Sequence, residues 1–265
     1  MLRKTFILII LVFKLFETYA QNDVIEIDRL GKSNTPFTIP KKWAQFESGF
    51  LKQTDKDPQS NSIDKYFQHP LFLGRYGLSN RIEARLITEW VSEKRISTPI
   101  RVQYTGINTF QLGFKANFIK EKGIRPEIAL IAHYSFNSLR TLTGKTDTID
   151  GANFRFAFQH TLNKNLLLNY NVGMEWEIFR NEPTYIYTFS PRFKFEDNWC
   201  AFIEVFGYIW KKYKPEHSIS AGLSYNINDN FRIDAAGGLK LNKRTPDNFY
   251  TLGCSFRFNT NNKND

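Results

Sequence analysis

Alternation with a period of two is the feature that most limits what this chain can become. In "NFRFAFQHTL" the even positions are Phe154, Phe156 and Phe158, and the odd ones are Asn153, Arg155, Ala157 and Gln159. "TYIYTFSPRFKF" sets Tyr185, Tyr187, Phe189, Phe193 and Phe195 against Thr184, Thr188, Ser190, Arg192 and Lys194. "NTFQLGFKANF" does the same with Phe110, Leu112, Phe114 and Phe118 against Thr109, Gln111, Lys115 and Asn117. Successive side chains of a strand point to opposite faces, so each segment is a strand with one apolar and one polar face. About twelve such segments follow one another. They run near 43–52, 70–78, 81–90, 107–119, 125–136, 151–161, 166–178, 184–195, 199–210, 217–226, 231–239 and 248–258. No helical period of any length competes with them after residue 20.

Most of these segments are close to the roughly 9–11 residues that a tilted strand needs to cross a bilayer. Their connections alternate as well. Short polar turns (Ser79-Asn80, Leu162–Asn165, Glu196–Asn198, Ile227–Asn230) follow even-numbered segments, and longer stretches (Gln53–His69, Val91–Gly106, Asn137–Asp150) follow odd-numbered ones. Short periplasmic turns and long external loops are the habit of outer-membrane barrels, and an even strand count leaves both ends in the periplasm. The aromatic share is 16%, with 25 Phe and 12 Tyr, more bulk on one face than a small barrel interior holds. That argues against a secreted β-sandwich or lipocalin-like barrel. The predicted fold is all-β, a single up-and-down antiparallel transmembrane β-barrel of about twelve strands over residues 43–258. Its last strand carries an apolar row of Tyr250, Leu252, Cys254, Phe256 and Phe258, suited to the barrel assembly machinery, and residues 259–265 form a polar tail.

Residues 1–20 read as a secretory signal. Arg3 and Lys4 precede the apolar run Phe6–Phe13, and Thr18-Tyr19-Ala20 supplies small residues for cleavage near Ala20. The run is too short for a spanning helix, and a mean hydropathy of −0.42 excludes a helical membrane bundle. The expected location is the outer membrane of a Gram-negative bacterium. Removing the signal takes three of the 36 basic and one of the 26 acidic residues, leaving +8. In an exported chain that charge suits contact with outer-membrane lipid and lipopolysaccharide, not nucleic acid. Residues 21–42, with Pro36, Pro40, Asp23, Glu26, Asp28 and Arg29, precede the first strand. A periplasmic segment and a partial plug of the lumen are both open readings for them.

With the aromatic rows facing lipid, the other rows face the lumen. They carry Glu47, Glu83, Glu89, Glu127, Glu175, Glu177, Glu204 and Asp234, opposed by Arg75, Arg85, Lys115, Arg155, Arg192, Lys194, Arg232 and Arg257. A charge facing hydrocarbon costs about 2–4 kcal/mol at the midplane, which accounts for the confinement of charge to one row. Two roles are open for these sixteen residues: cross-strand ion pairs that fill the interior, or the lining of a solvated path that filters solutes. Tyr208 and Trp210 fall on the inward row near the outer mouth and are candidates for stacking on a solute. Cys200 and Cys254 lie on opposite faces of different strands, which disfavours a disulfide.

The order of several segments resembles one family, the outer-membrane proteins described by the MetA pathway of phenol degradation and often called transporters. "IDRLGKSNTPFTIPKKWAQFESGF" is similar to the family's opening, with Gln45, Glu47, Gly49 and Phe50 in its first strand. "LFLGRYGLSNRIEARL", "GINTFQLGFKANFIKEKGIRPEIALIA", "SAGLSYNINDNFRIDAAGGL" and "NFYTLGCSFRF" follow in the family's order. A Pro-Thr-Gly-like segment after the fifth strand is replaced by "YSFNSLRTLTGKT". The resemblance implies a channel or transporter for passive passage of small molecules, hydrophobic or aromatic ones among them. The alternative is a closed structural, adhesion or receptor-type barrel that acts through its external loops.

Catalysis is not expected. His69 and His217 read as rim or loop residues, His133 points inward, and His160 lies on the outward row with no outward Ser beside it. The sequence contains no Gly-x-Ser-x-Gly and no His-Glu-x-x-His, and no metal site or cofactor is expected.

Overall fold

The computed structural model describes residues 24–57, 62–97, 101–136, 150–176, 182–196, 198–242 and 247–261. Twelve strands follow in chain order: β1 Trp43–Asp57, β2 Ser62–Ser79, β3 Ile82–Ile96, β4 Arg101–Ile119, β5 Glu127–Ser135, β6 Gly151–Asn163, β7 Leu166–Glu175, β8 Thr184–Phe195, β9 Trp199–Ile209, β10 Glu216–Asn228, β11 Phe231–Lys240 and β12 Asn248–Asn259. Each pairs antiparallel with its sequence neighbours. β1 then pairs with β12 from Trp43↔Asn259 to Thr54↔Asn248, which closes the barrel. Closure leaves no strand edge unpaired, the condition for a sheet inside a bilayer.

The faces sort as the alternation predicts. Leu252, Tyr250 and Phe50 are 63%, 60% and 54% exposed on the outer surface, whereas Glu47, Glu83 and Lys115 are each 0% exposed on the inner one. A soluble barrel would show the reverse. Phe46, Phe256 and Phe258 form a continuous aromatic run across the β1–β12 seam, and Trp90, midway along β3, and Trp176, just past the end of β7, are exposed. Trp43 and Trp210 do not join that outer girdle. The Arg257 guanidinium lies 5.0 Å over the Trp43 ring, and Trp210 is buried.

The β6–β7 turn, the β10–β11 turn and the end of β12 share a local device. Asn163, Asn228 and Asn259 each accept, through Oδ1, the backbone N–H two residues on, at Asn165, Asn230 and Asn261. An asparagine side chain that mimics a backbone turn explains the repeated Asn-x-Asn at these positions. At the β2–β3 turn Ser79 Oγ accepts from the N–H groups of Arg81 and Ile82.

The first four strands correct the sequence reading. Gln53–His69 and Val91–Gly106, taken above as long connections, are largely strand: β1, β2, β3 and β4 run 15, 18, 15 and 19 residues. Their pairing continues to Asp57↔Ser62 and Ile96↔Arg101. Beyond the bilayer neither face has to be apolar, so backbone pairing persists where side-chain alternation fades. Pro70, which has no N–H to give the ladder, sits where the β2–β3 register shifts between Gln68 and Leu71.

Candidate functional site

Most of the large side chains buried inside the barrel are polar, and they converge on residues 24–42. This segment has no helix or strand of its own. It enters at the short-turn end, where Ile25 N–H donates to the Asp229 carbonyl (2.9 Å). It then climbs into the lumen and returns to the same end, where Thr38 Oγ1 and Lys41 N–H donate to Asn80. A buried irregular backbone must find partners outside itself, and here the wall supplies them. Glu47 Oε2 accepts the N–H of Asp28 (2.9 Å) and Arg29 (2.8 Å). Glu204 accepts those of Lys32 and Ser33 (2.8 and 2.6 Å), and Glu83 Oε2 accepts that of Ile39 (2.9 Å). Asn171 clasps Asn34 at both its N–H and its carbonyl.

Wall donors serve the carbonyls. Arg75 reaches Glu26 and Phe37, Lys115 reaches Thr35 and Phe37, Asn117 reaches Pro36, and Arg232 reaches Ile25. Gly31, at φ 82°, turns the chain in the left-handed region where glycine is least strained, and this brings the next two N–H groups onto Glu204. Gly49 and Gly253 face each other across the β1–β12 seam. A Cβ on either would collide with the Arg29 guanidinium, so the two glycines form the slot through which Arg29 lies flat and reaches Asp234 and Thr251.

At mid-lumen three carboxylates and three cations form one buried cluster. Asp28 Oδ2 receives Lys115 Nζ (2.5 Å) and Arg85 Nη1 (2.7 Å), with Arg75 at 3.8 Å. Glu83 is held by Arg75 at both oxygens (2.8 Å each) and by Arg85 (2.8 Å). Glu47 Oε1 takes Arg75 Nη1 at 2.9 Å. Arg75 and Arg85 are directly paired in the β2–β3 register, and the acids keep these like charges together. Burial opposes ionisation of Asp28, but Lys115, Arg75 and Arg85 outweigh it and hold its carboxyl well below the usual carboxylate range. Nearer the short turns Glu26 faces Lys194, Arg192 and Arg232 at 3.5, 3.8 and 3.9 Å. Burial again works against the charge, and Lys194, Arg232 and Arg192 prevail, lowering its pKa.

Two spaces in the lumen are bordered by the segment among the described residues. One of about 410 Å³ lies toward the long connections. Its floor is Asp28, Arg29, Gly31, Lys32 and Asn34, and its walls include Glu89, Arg155, His133, Ile87 and Phe249. The other, about 450 Å³, opens among the short turns and is lined by Ile25, Glu26, Lys194, Cys200 and Arg232 among others. The same segment therefore forms part of both.

Of the charges singled out from sequence, Glu47, Arg75, Glu83, Arg85, Lys115, Arg192, Lys194, Glu204, Arg232 and Asp234 all meet residues 24–42. Arg155 lies 3.6 Å from Glu175 and donates to the Lys32 carbonyl at the upper space. Glu89 there accepts from Asn108 (2.9 Å). Glu127 pairs with Lys120 and Asn117 near the short turns, and Arg257 donates to Asn230. Glu177 lies outside the described residues, as do residues 1–20. Trp210 donates to Thr184 Oγ1 (2.6 Å) and stacks on Tyr208, and neither lines the upper space.

Sequence reasoning did not single out Arg29, Gly31, Ser33, Asn34 or Thr35 as site residues. It also missed a contact between His69 Nε2 and Ser92 Oγ (2.8 Å), because His69 fell in a stretch taken as a connection. No hydrogen bond to a carboxylate orients that ring among the described residues, and Ser92 also bonds Thr105. His133 takes a hydrogen bond from Arg85 Nε and contacts Asn153. Cys200 and Cys254 are both free thiols. No group of three His, Cys, Asp or Glu suited to a metal occurs among the described residues.

Fold and lumen together define a twelve-stranded β-barrel of the outer-membrane type with a segment of its own chain docked inside. The chain belongs to the family described as putative MetA-pathway of phenol degradation, whose model matches residues 27–258 and so begins within the docked segment. No curated protein matches the chain by sequence. Among solved structures it is similar to an outer membrane channel from Pseudomonas putida F1 (TM-score 0.65, 9% identity, 88% of this chain and 100% of that one). It also resembles the transport unit of the autotransporter AIDA-I from Escherichia coli (TM-score 0.56, 8% identity, 89% and 93%). A third is the translocator domain of the autotransporter NalP from Neisseria meningitidis (TM-score 0.55, 9% identity, 87% and 90%). At these identities the likeness is one of fold.

Proposed function

We propose that the protein is an outer-membrane channel for passive passage of small molecules, held closed in this conformation by residues 24–42. The observation that carries the reading is the placement of space. Cavities of about 410 and 450 Å³ lie at the two ends of the lumen, and one docked segment contributes to the wall of each. A barrel meant only as a scaffold has no need of such spaces; interlocked strand side chains fill small barrels. The upper space sets Leu51, Leu71, Ile87, Ile131 and Phe249 beside charged and amide groups. That mixture suits a solute with an apolar body and a polar end, and the family's tie to phenol degradation favours an aromatic one.

The short turns then face the periplasm and the extended β1–β4 hairpins face outward. Most of the luminal charges thus serve to hold the segment, and Glu89, Arg155 and Glu175 line the upper space. The protein works without catalysis, with lipid, lipopolysaccharide and the assembly machinery as its membrane partners. Export rests on residues 1–20, and N-terminal sequencing of protein from outer membranes is expected to show a start near Gln21. Planar-bilayer recording of the refolded chain tests the channel. Brief openings are expected in the wild type, and long ones once the segment is loosened. Silence in both, with no solute flux into liposomes, would overturn the reading. It would favour the alternative in which the projecting hairpins, with their exposed Arg95–Asp64 pair, bind a surface.

A further inference from the structure

The docked segment places its two acids, Asp28 and Glu26, against two basic stations spaced along the lumen. On the wall around Asp28, Arg75, Arg85 and Lys115 face only Glu47 and Glu83, so the wall is one negative charge short until Asp28 arrives. Around Glu26, Lys194, Arg192 and Arg232 all lie within 4 Å of that carboxylate. Asp28 meets the wall cations through Oδ2, while Oδ1 bonds only Thr35 of its own segment. One oxygen of a carboxylate on a freely moving molecule could make the same contacts.

Access is built in. Asp28 and Arg85 both line the upper space, and Glu26, Lys194 and Arg232 line the lower one. Arg155 and Lys32 line the same upper space as the first station. From these observations we infer that the lumen is a path for carboxylate-bearing solutes, and that Asp28 and Glu26 occupy their stations as internal stand-ins which such a solute displaces. The inference rests on the channel reading for the passage of solute, but not for the site itself. A buried cation left without its counter-charge is costly, so the stations favour an exchange of one carboxylate for another over simple departure of the segment.

Equilibrium binding of radiolabelled benzoate to the refolded mature chain in detergent tests the site without requiring conductance. Asp28→Ala is expected to bind benzoate at least ten-fold more tightly than the wild type. Adding Lys115→Met is expected to abolish the gain, and neutral benzyl alcohol is expected to show none. Asp28→Asn, which keeps the side-chain volume and the bond to Thr35, gives a smaller gain of the same sign and serves where the alanine variant does not fold. Equal benzoate binding by wild type and both variants, or an equal gain for benzyl alcohol, would overturn the inference. A preference for inorganic phosphate over benzoate would overturn the carboxylate assignment. In liposomes the expected flux order is benzoate above benzyl alcohol above benzylammonium. Conductance without that order sinks this inference and spares the channel, whereas silence with charge-dependent benzoate binding does the opposite.

Discussion

Glu204 offers the most direct measure of how firmly the segment is held. Its carboxylate is 1% exposed and accepts from Lys32 N–H, Ser33 N–H and Ser220 Oγ. Substituting alanine leaves the buried Ser33 N–H and the partly buried Lys32 N–H of the segment without an acceptor. Each such loss costs about 1–3 kcal/mol, with hydrogen bonds to charged groups toward the upper end. A total of about 3–5 kcal/mol is therefore expected, partly relieved where water enters the vacated volume. At about 1.4 kcal/mol per factor of ten, the undocked population rises by roughly two to nearly four powers of ten. Cys200 is a native reporter of the change, being buried at the lower space that Ile25 also lines, while Cys254 is exposed. The rate at which a small water-soluble thiol reagent modifies Cys200 in the refolded protein is expected to rise at least a hundred-fold in Glu204→Ala. An unchanged rate, with the barrel still heat-modifiable on gels, would refute the claim that Glu204 holds the segment.

Gly253→Ala sets a methyl group against the Arg29 guanidinium. It is expected to destabilise the docked state by about 1–3 kcal/mol, read as the same gain in Cys200 labelling. Arg75→Met leaves Glu47 and Glu83 buried without their shared cation, and urea unfolding in lipid vesicles is expected to show a loss of about 3–5 kcal/mol. On the lipid face Leu252→Arg is expected to cost up to about 2–4 kcal/mol near the midplane in that assay. Asp28 has a depressed folded pKa, so its contribution is whole above its unfolded value near about 3.9 and is lost as pH falls below it. Hydrogen exchange of the residue 24–42 amides, corrected for the intrinsic pH dependence of exchange, is accordingly expected to quicken only in strongly acid buffer. A quickening that set in between pH 7 and 5 would contradict this.

The barrel was legible because lipid on one side and a polar lumen on the other write a period of two into each spanning strand. Legibility failed where that contrast ends. The outer halves of β1–β4 meet water on both faces, so Thr54, Lys65, Lys94 and Gln103 follow one another in the pairing without an apolar row. The docked segment was illegible for a different reason: its partners come from strands as far apart as β1 and β11, and no local pattern encodes them. One hint was present. Glu204 pairs across the sheet with Ser220, and the nearby inward residues of β8 are Thr188 and Ser190. An acid set among hydroxyl groups has no neighbour to neutralise it and calls for a partner from elsewhere.

Both ends of the docked segment lie at the short-turn end, with Ile25 at Asp229 and Lys42 at Gly77. A hairpin whose two ends leave by the same mouth is not threaded through the ring of strands. It can enter after β1 and β12 have closed, and can withdraw without opening any strand pair. Its attachment at residue 42 keeps it within reach after it leaves, so recapture is intramolecular and independent of protein concentration. On the channel reading proposed above, the segment is a tethered stopper: its bonds to the wall set how long it stays in, and the reach of the tether sets how soon it returns.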